Sequence, residues 1–231
     1  MPITVLTPAV EQRIAAMVEL FRRESLDAAA KKRPPGPTIT LSRQFGCEAY
    51  PLAERLKILL EEKTGATWNI LDKALLEEMA RNRDVSEVVI HGGWEKPRFL
   101  DDFFATFSSR WITEKDHYRR LTTDIAMLAA HGNVIIVGRG AAIITQSLPN
   151  CFHFRIGGTQ EFRANSIARR IGCSKAEATE IVAREEKRRN KFIRDFLDSD
   201  ADDLSSYHLL FNNDKNSVEL MARTIVGYLG R

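Results

Sequence analysis

TITLSRQFGCEAYPLAERL, residues 38–56, decides how the rest of the chain is read. Thr38 to Ser42 alternates polar and apolar residues as a short β-strand does. Arg43-Gln44-Phe45-Gly46 is a compact turn, and the segment after it places Leu52, Leu56, Leu59 and Leu60 on the buried face of a helix. A strand that turns directly into a helix brings the unbonded N–H groups and the positive dipole end of that helix beside the strand's carboxyl end, where an anion is favoured. Many α/β proteins contain such a turn and bind nothing with it, so its use depends on what surrounds it.

Other segments repeat the strand-then-helix alternation. Residues 65–70 (GATWNI) form a short strand candidate, and Leu71-Asp72-Lys73-Ala74-Leu75-Leu76 opens a helix in which Asp72 either caps the helix or lines a cleft. Asn133-Val134-Ile135-Ile136-Val137-Gly138-Arg139-Gly140 is a β-branched run flanked by glycine, as expected of a central parallel strand covered on both faces. Arg139 stands at its carboxyl end. Open α/β sheets bind ligands at that edge, which makes Arg139 a candidate anion ligand; pairing with a local carboxylate is the alternative.

Residues 151–156 (CFHFRI) form another strand, and a helix is predicted over 159–170. Ser174-Lys175-Ala176-Glu177 is a capping box that starts a further helix. From Arg184 to Arg194 there are six basic and two acidic residues, spread over more than one helical face. Either this is a solvated helix or it is a mobile basic segment that closes over polyphosphate. Tyr207 to Asn212 is the last strand, and Ser217 to Leu229 closes the chain as an amphipathic helix carrying Val218, Met221, Ile225 and Leu229. The whole pattern predicts an α/β fold, a three-layer αβα sandwich around a parallel sheet.

Two regions stand outside that pattern. Val10, Ile14, Met17, Val18 and Phe21 draw one apolar stripe along a helix from about residue 8 to 30, and Lys31-Lys32-Arg33-Pro34-Pro35-Gly36-Pro37 breaks it. Residues 1–36 thus read as a helical extension and linker that packs on the domain or, in a homodimer, on a second subunit. Residues 84–131 read as a helical insert with Trp94, Phe99, Phe103, Phe104, Phe107 and Trp111 near its middle, a packed sub-core more than a base-stacking platform.

With 231 residues the chain accommodates one well-buried α/β domain with an appendage. Its 34 basic and 31 acidic residues give a formal charge of +3, too mild for a nucleic-acid partner. Cys47, Cys151 and Cys173 lack the spacing of a disulfide framework or a zinc site, and no metal ligands stand out. There is no run of about 18 apolar residues and no secretory leader pattern, so no membrane partner is expected and the cytoplasm is the simplest setting.

TITLSRQFG, LDKALLE, NVIIVGRGAAII, FRIGGTQEFRANSIARRIGCSKAEA, REEKRRNKF and YHLLFN follow one another in an order and spacing that resembles the cytidylate kinase-like family, a branch of the P-loop nucleoside monophosphate kinases. The resemblance runs from about Thr38 to Leu229. It implies a P-loop kinase-like domain over 37–231 with a lid at about 184–200, moving the γ-phosphoryl group of ATP, with Mg²⁺, to a nucleoside monophosphate such as CMP or dCMP. By matching position, Ser42, Arg43, Gln44, Phe45, Gly46, Cys47, Glu48 and Ala49 would form the phosphate loop. Asp72 and Arg139 would face the acceptor, and Arg184, Arg189 and Lys191 would be lid cations acting on the transferring group.

The chain also departs from that family. There is no GxxxxGK[ST] match, and the glycines that follow Gly46 in a SRQYGSGG-like loop are replaced by Cys47-Glu48-Ala49-Tyr50-Pro51. Glu48 brings a negative charge to the loop, Pro51 removes an N–H from the helix start, and His208 stands where the family commonly carries an acid. A second expectation therefore stands beside the kinase: a catalytically weakened relative that binds a nucleotide or other anion as a regulatory or interaction module. A kinase for a different phosphorylated small molecule is the third.

Overall fold

The structure, a computed structural model, describes residues 10, 12–16, 19, 35–81 and 115–230, with side chains from 118 onward in the last range. The described part of the N-terminal segment is helical, and Ile14 is buried. The aromatic group from Trp94 to Trp111 lies outside the described residues, as do most of the N-terminal stripe and the start of the proline-rich break.

Five strands form one all-parallel sheet: β1 Thr38–Arg43, β2 Asn69–Leu71, β3 Val134–Val137, β4 Cys151–Gly157 and β5 Leu209–Asn212. Their order across the sheet is β2-β3-β1-β4-β5. Flanking helices make the architecture α/β. Helices α1 Ala49–Thr64, α2 Lys73–Arg81, α3 Lys115–His131, α4 Ala141–Ile144, α5 Gln160–Ile171, α6 Lys175–Leu197 and α7 Val218–Tyr228 complete the regular structure, with a short 3-10 turn at Leu204–Ser206. The observed β2 takes in Leu71, so its helix opens at Lys73 with Asp72 as the cap. Likewise β5 starts at Leu209, because residues 204–206 are wound into the 3-10 turn.

The described chain divides into two compact units, one holding residues 36–71 and 132–230 and the other the remainder. In the sheet unit, one face of the sheet carries Ile39, Leu41, Ile135, Val137, Phe154 and Ile156. Against it pack Leu52, Leu56 and Leu60 of α1 and Met221, Ala222 and Ile225 of α7. Leu59 is half-buried at the margin of this core. Helix α1 stops where Gly65 turns left-handed (φ 66°) and donates its N–H to the Glu61 carbonyl. In the other unit α2 and α3 pack together through Leu75, Leu76, Met79 and Ala80 and through Leu121, Ile125 and Leu128, and Arg120 Nε donates to the Ala80 carbonyl.

The second face of the sheet is buried too, apolar at β2 and β3 through Leu71, Val134 and Ile136 but largely polar where β1 meets β4. Thr38, Thr40 and Ser42 of β1 stand in register with Cys151, His153 and Arg155 of β4. Thr38 and Thr40 are buried, as are His153 and Arg155. Thr40 Oγ1 and His153 Nδ1 share a 2.8 Å hydrogen bond, and the His153 N–H donates to His208 Nδ1 at 2.9 Å. These bonds satisfy groups that would otherwise be costly to bury. Burial, and secondarily the charge of His208, push the His153 imidazole down to about 4.

Candidate functional site

β1 is the pivot of the sheet. The chain leaves its carboxyl end through α1 towards β2 on one side, and leaves the neighbouring β4 through α5 and α6 towards β5 on the other. A crevice opens between adjacent strands whose connections diverge in this way, and ligands of open α/β sheets bind there. The residues at that edge are Ser42 and Arg43 of β1, the turn from Gln44 to Glu48, and Arg155 to Gly158 of β4.

The turn approaches α5 closely. Gly46 has φ +97°, and a Cβ placed on it would stand 2.8 Å from both the Cβ and the carbonyl oxygen of Arg163. Phe45 packs into the small core that joins α5 and α6, beside Ala164, Ile167, Ala178 and Val182. Arg163 Nε donates to the Gly158 carbonyl (3.1 Å), and its Nη1 lies 3.2 Å from Glu186 Oε2. Arg189 donates from Nη1 to the Arg43 carbonyl (2.6 Å), lies 3.4 Å from the same Glu186 oxygen, and stands 5.8 Å from the centre of the Phe45 ring. The Phe45 N–H completes the set with a 2.6 Å bond to Glu186 Oε2. One carboxylate oxygen is thus met by a turn N–H and two guanidinium groups, the donor set that suits a phosphate oxygen.

Apart from that of Gly46, the other N–H groups of the turn also have acceptors. Gln44 donates to the Ile156 carbonyl, Cys47 to Gln44, and Ala49 to Cys47. The Glu48 N–H donates to Asn213 Oδ1 (2.8 Å), and Asn213 Nδ2 donates back to Glu48 Oε2 (3.2 Å), so Glu48 is clasped to the segment after β5. Cys47 is buried beside the turn, and that burial pushes its thiol up to about 11, which leaves it protonated and unreactive at neutral pH.

Arg155 forms a second cationic focus at the same edge. Its Nη1 donates to Ser42 Oγ (3.2 Å) and to the Tyr207 hydroxyl (3.3 Å), and its Nη2 pairs with Asp202. The Tyr207 hydroxyl is itself 3.2 Å from Ser42 Oγ. Burial is the main influence lowering the proton affinity of Arg189, opposed by Glu186 and reinforced by the positive charges of Arg155 and Arg163. Three arginines therefore share one electrostatic neighbourhood.

The three expected lid cations separate. Arg189 turns inward with 19% of its side chain exposed, whereas Arg184 is 69% exposed beside Glu185 and Lys191 is 75% exposed, 3.9 Å from Asp195. All three lie on one continuous helix, α6. Arg139 occupies a left-handed turn between Gly138 and Gly140, with φ values of 82°, 56° and 70° along the three residues. The positive φ of Gly138 favours glycine there, and the Arg43 guanidinium lies over the space that a Cβ would take. The Arg139 guanidinium lies 5.1 Å from the centre of the Phe192 ring on α6. Asp72, in the other unit, accepts from the Leu75 N–H (2.9 Å) and from Arg13 Nη1 (3.0 Å), the geometry of a helix cap.

A family model described as the cytidylate kinase-like family matches residues 38–215. The chain belongs to the cytidylate kinase-like family. A solved structure of an uncharacterized protein from Eubacterium ventriosum ATCC 27560 has the same fold, with a TM-score of 0.66 at 20% identity, covering 84% of this chain and 98% of that one. A shikimate kinase from Bacteroides thetaiotaomicron aligns with a TM-score of 0.48 at 12% identity, over 84% of this chain and 99% of that one. No curated protein matches the chain.

Within this member of the cytidylate kinase-like family, motif reading did not single out Arg155, Arg163, Tyr207 or Asn213, and it marks Glu186 only as one of two lid glutamates, Glu185-Glu186, where the family usually has aspartates. For Arg155 a signal existed. It falls on the same strand parity as His153, and pairing β4 beside β1 puts it next to Ser42. Arg163 and Glu186 carry no comparable signal, because their convergence depends on how α5 and α6 dock on the turn. Among the described residues no group of three His, Cys, Asp or Glu side chains is disposed to hold a metal, and no helix is long and apolar enough to cross a membrane.

Proposed function

We propose that the protein is a phosphotransferase that moves the γ-phosphoryl group of ATP to a nucleoside monophosphate, CMP or dCMP being the first acceptors to test. The observation that carries this reading is the convergence of the Phe45 N–H, Arg163 and Arg189 on one point at the switch-point edge of the sheet. Donors so placed can hold a polyphosphate and neutralise the charge that spreads over a transferring phosphoryl group. Arg155, with Ser42 and Tyr207, supplies further positive charge and hydroxyls at the same edge, and Arg139 stands at the end of the adjacent β3. Mg²⁺ would arrive on the nucleotide phosphates, since this ion keeps several waters and needs few protein carboxylates. Three unpaired cysteines fit a reducing cytoplasm.

The test is phosphoryl transfer from Mg-ATP across a panel of nucleoside monophosphates, with nucleotide titrations run alongside. Turnover of CMP or dCMP supports the reading. Saturable nucleotide binding without transfer to any acceptor replaces it with the second reading, a nucleotide- or anion-binding module, which the occupied turn N–H groups favour.

A further inference from the structure

The turn that should receive phosphate holds a carboxylate. Glu186 Oε2 accepts from the Phe45 N–H at 2.6 Å and faces Arg163 Nη1 at 3.2 Å and Arg189 Nη1 at 3.4 Å, and the Glu186 side chain is largely buried. The carboxylate thus uses a backbone donor and the two arginines that an incoming anion would need. Packing reinforces the contact from the other side: Phe45 is inserted between α5 and α6, and the Arg163 backbone fills the space over Gly46. The remaining charged group of the turn, Glu48, is held by Asn213 and makes no bond to this cluster.

We propose that Glu186 is a built-in stand-in for a phosphate oxygen, latching α6 onto the strand–helix turn, and that a polyphosphate reaches the turn by displacing it. The identity of the incoming anion rests on the kinase reading; the latch itself does not. An anion that carries more charge than a carboxylate, and can span the Phe45 N–H and both arginines at once, wins this exchange, whereas a monoanion gains little over Glu186. The device therefore favours triphosphates over small anions and keeps the arginines folded inward when no nucleotide is present.

The experiment uses the full chain and inorganic tripolyphosphate as the probe. Without ligand, the Phe45 amide should exchange its hydrogen roughly tenfold faster or more in Glu186→Ala than in the unmodified protein. Glu186→Gln keeps the shape and removes the charge, and should bind tripolyphosphate roughly tenfold more tightly. In the unmodified protein, tripolyphosphate should shift the ¹³C resonance of the Glu186 carboxylate. Phe45 exchange that is unchanged in Glu186→Ala overturns the latch, and a Glu186 resonance that stays fixed while tripolyphosphate binds overturns displacement. If exchange accelerates but tripolyphosphate binds none of the three proteins, the latch is supported and displacement by polyphosphate is overturned, while the kinase reading is decided by the transfer assay.

Discussion

His153 sets a pH limit on stability that can be measured without a substrate. The imidazole is buried on the polar face of the sheet, bonded to Thr40, and its pKa is lowered to about 4 from an ordinary 6.5 by burial and by His208. The unfolded chain therefore takes up a proton more readily than the folded one. The stability linked to His153 is fully present above about pH 6.5 and is lost as the pH falls from there towards 4. The difference between the two values corresponds to about 3 kcal/mol at the acid limit, of which about 2 to 3 kcal/mol is lost between roughly pH 7.5 and 4.5. Carboxylates titrate in the same interval, so the assay is a comparison. Urea unfolding of the unmodified protein and of His153→Gln, whose amide can still bond Thr40 and does not titrate, isolates the histidine. The unmodified protein should lose about 2 to 3 kcal/mol more than the variant over that interval. Parallel pH profiles for the two proteins would refute a buried neutral His153.

Two further outcomes concern the site. Arg189→Ala should lower phosphoryl transfer by about two to three orders of magnitude while lowering stability by about 1 to 3 kcal/mol, because it removes a part-buried bond to the Arg43 carbonyl and one of the partners of Glu186. Arg184→Ala, whose side chain is exposed, should leave transfer within a few-fold of the unmodified protein, and an equal loss in both variants would remove the distinction. Glu48→Gly should tighten ATP binding by roughly tenfold through loss of a negative charge at the turn, at a cost of about 1 to 3 kcal/mol from the Asn213 amide it leaves unbonded; calorimetric titration that shows unchanged affinity eliminates repulsion by Glu48 at the donor site.

The elements legible in the sequence are those whose signals are local. The β-branched run of β3, the Ser174–Glu177 capping box and the apolar stripe of α1 each depend on neighbours within about a turn or a strand, and each appears where the pattern puts it. What stayed hidden depends on partners far away in the chain. The alternation in TITLSR identifies a strand, but it also suggests a wet face, and the structure buries that face because His153 and Arg155, 113 residues on, supply bonds to Thr40 and Ser42. The basic stretch of α6 shows the same limit. Arg184 and Arg189 lie about 140° apart around a helix, and which of them points inward is fixed by the docking of Phe45 and Glu186, not by the sequence of α6. Glu48 illustrates a third case, since its charge was visible while its clasp by Asn213, 165 residues away, was not.

Helix α6 is one uninterrupted rod of 23 residues. Along its length it touches two different turns: Glu186 and Arg189 meet the turn after β1, while Phe192 lies against Arg139 and Leu197 rests on Gly140 in the turn after β3. A straight rod resting on two supports cannot rise from one without tipping on the other. Unless α6 bends, whatever frees the β1 turn also changes the load on the β3 turn, so the places expected to hold donor and acceptor phosphates share one support.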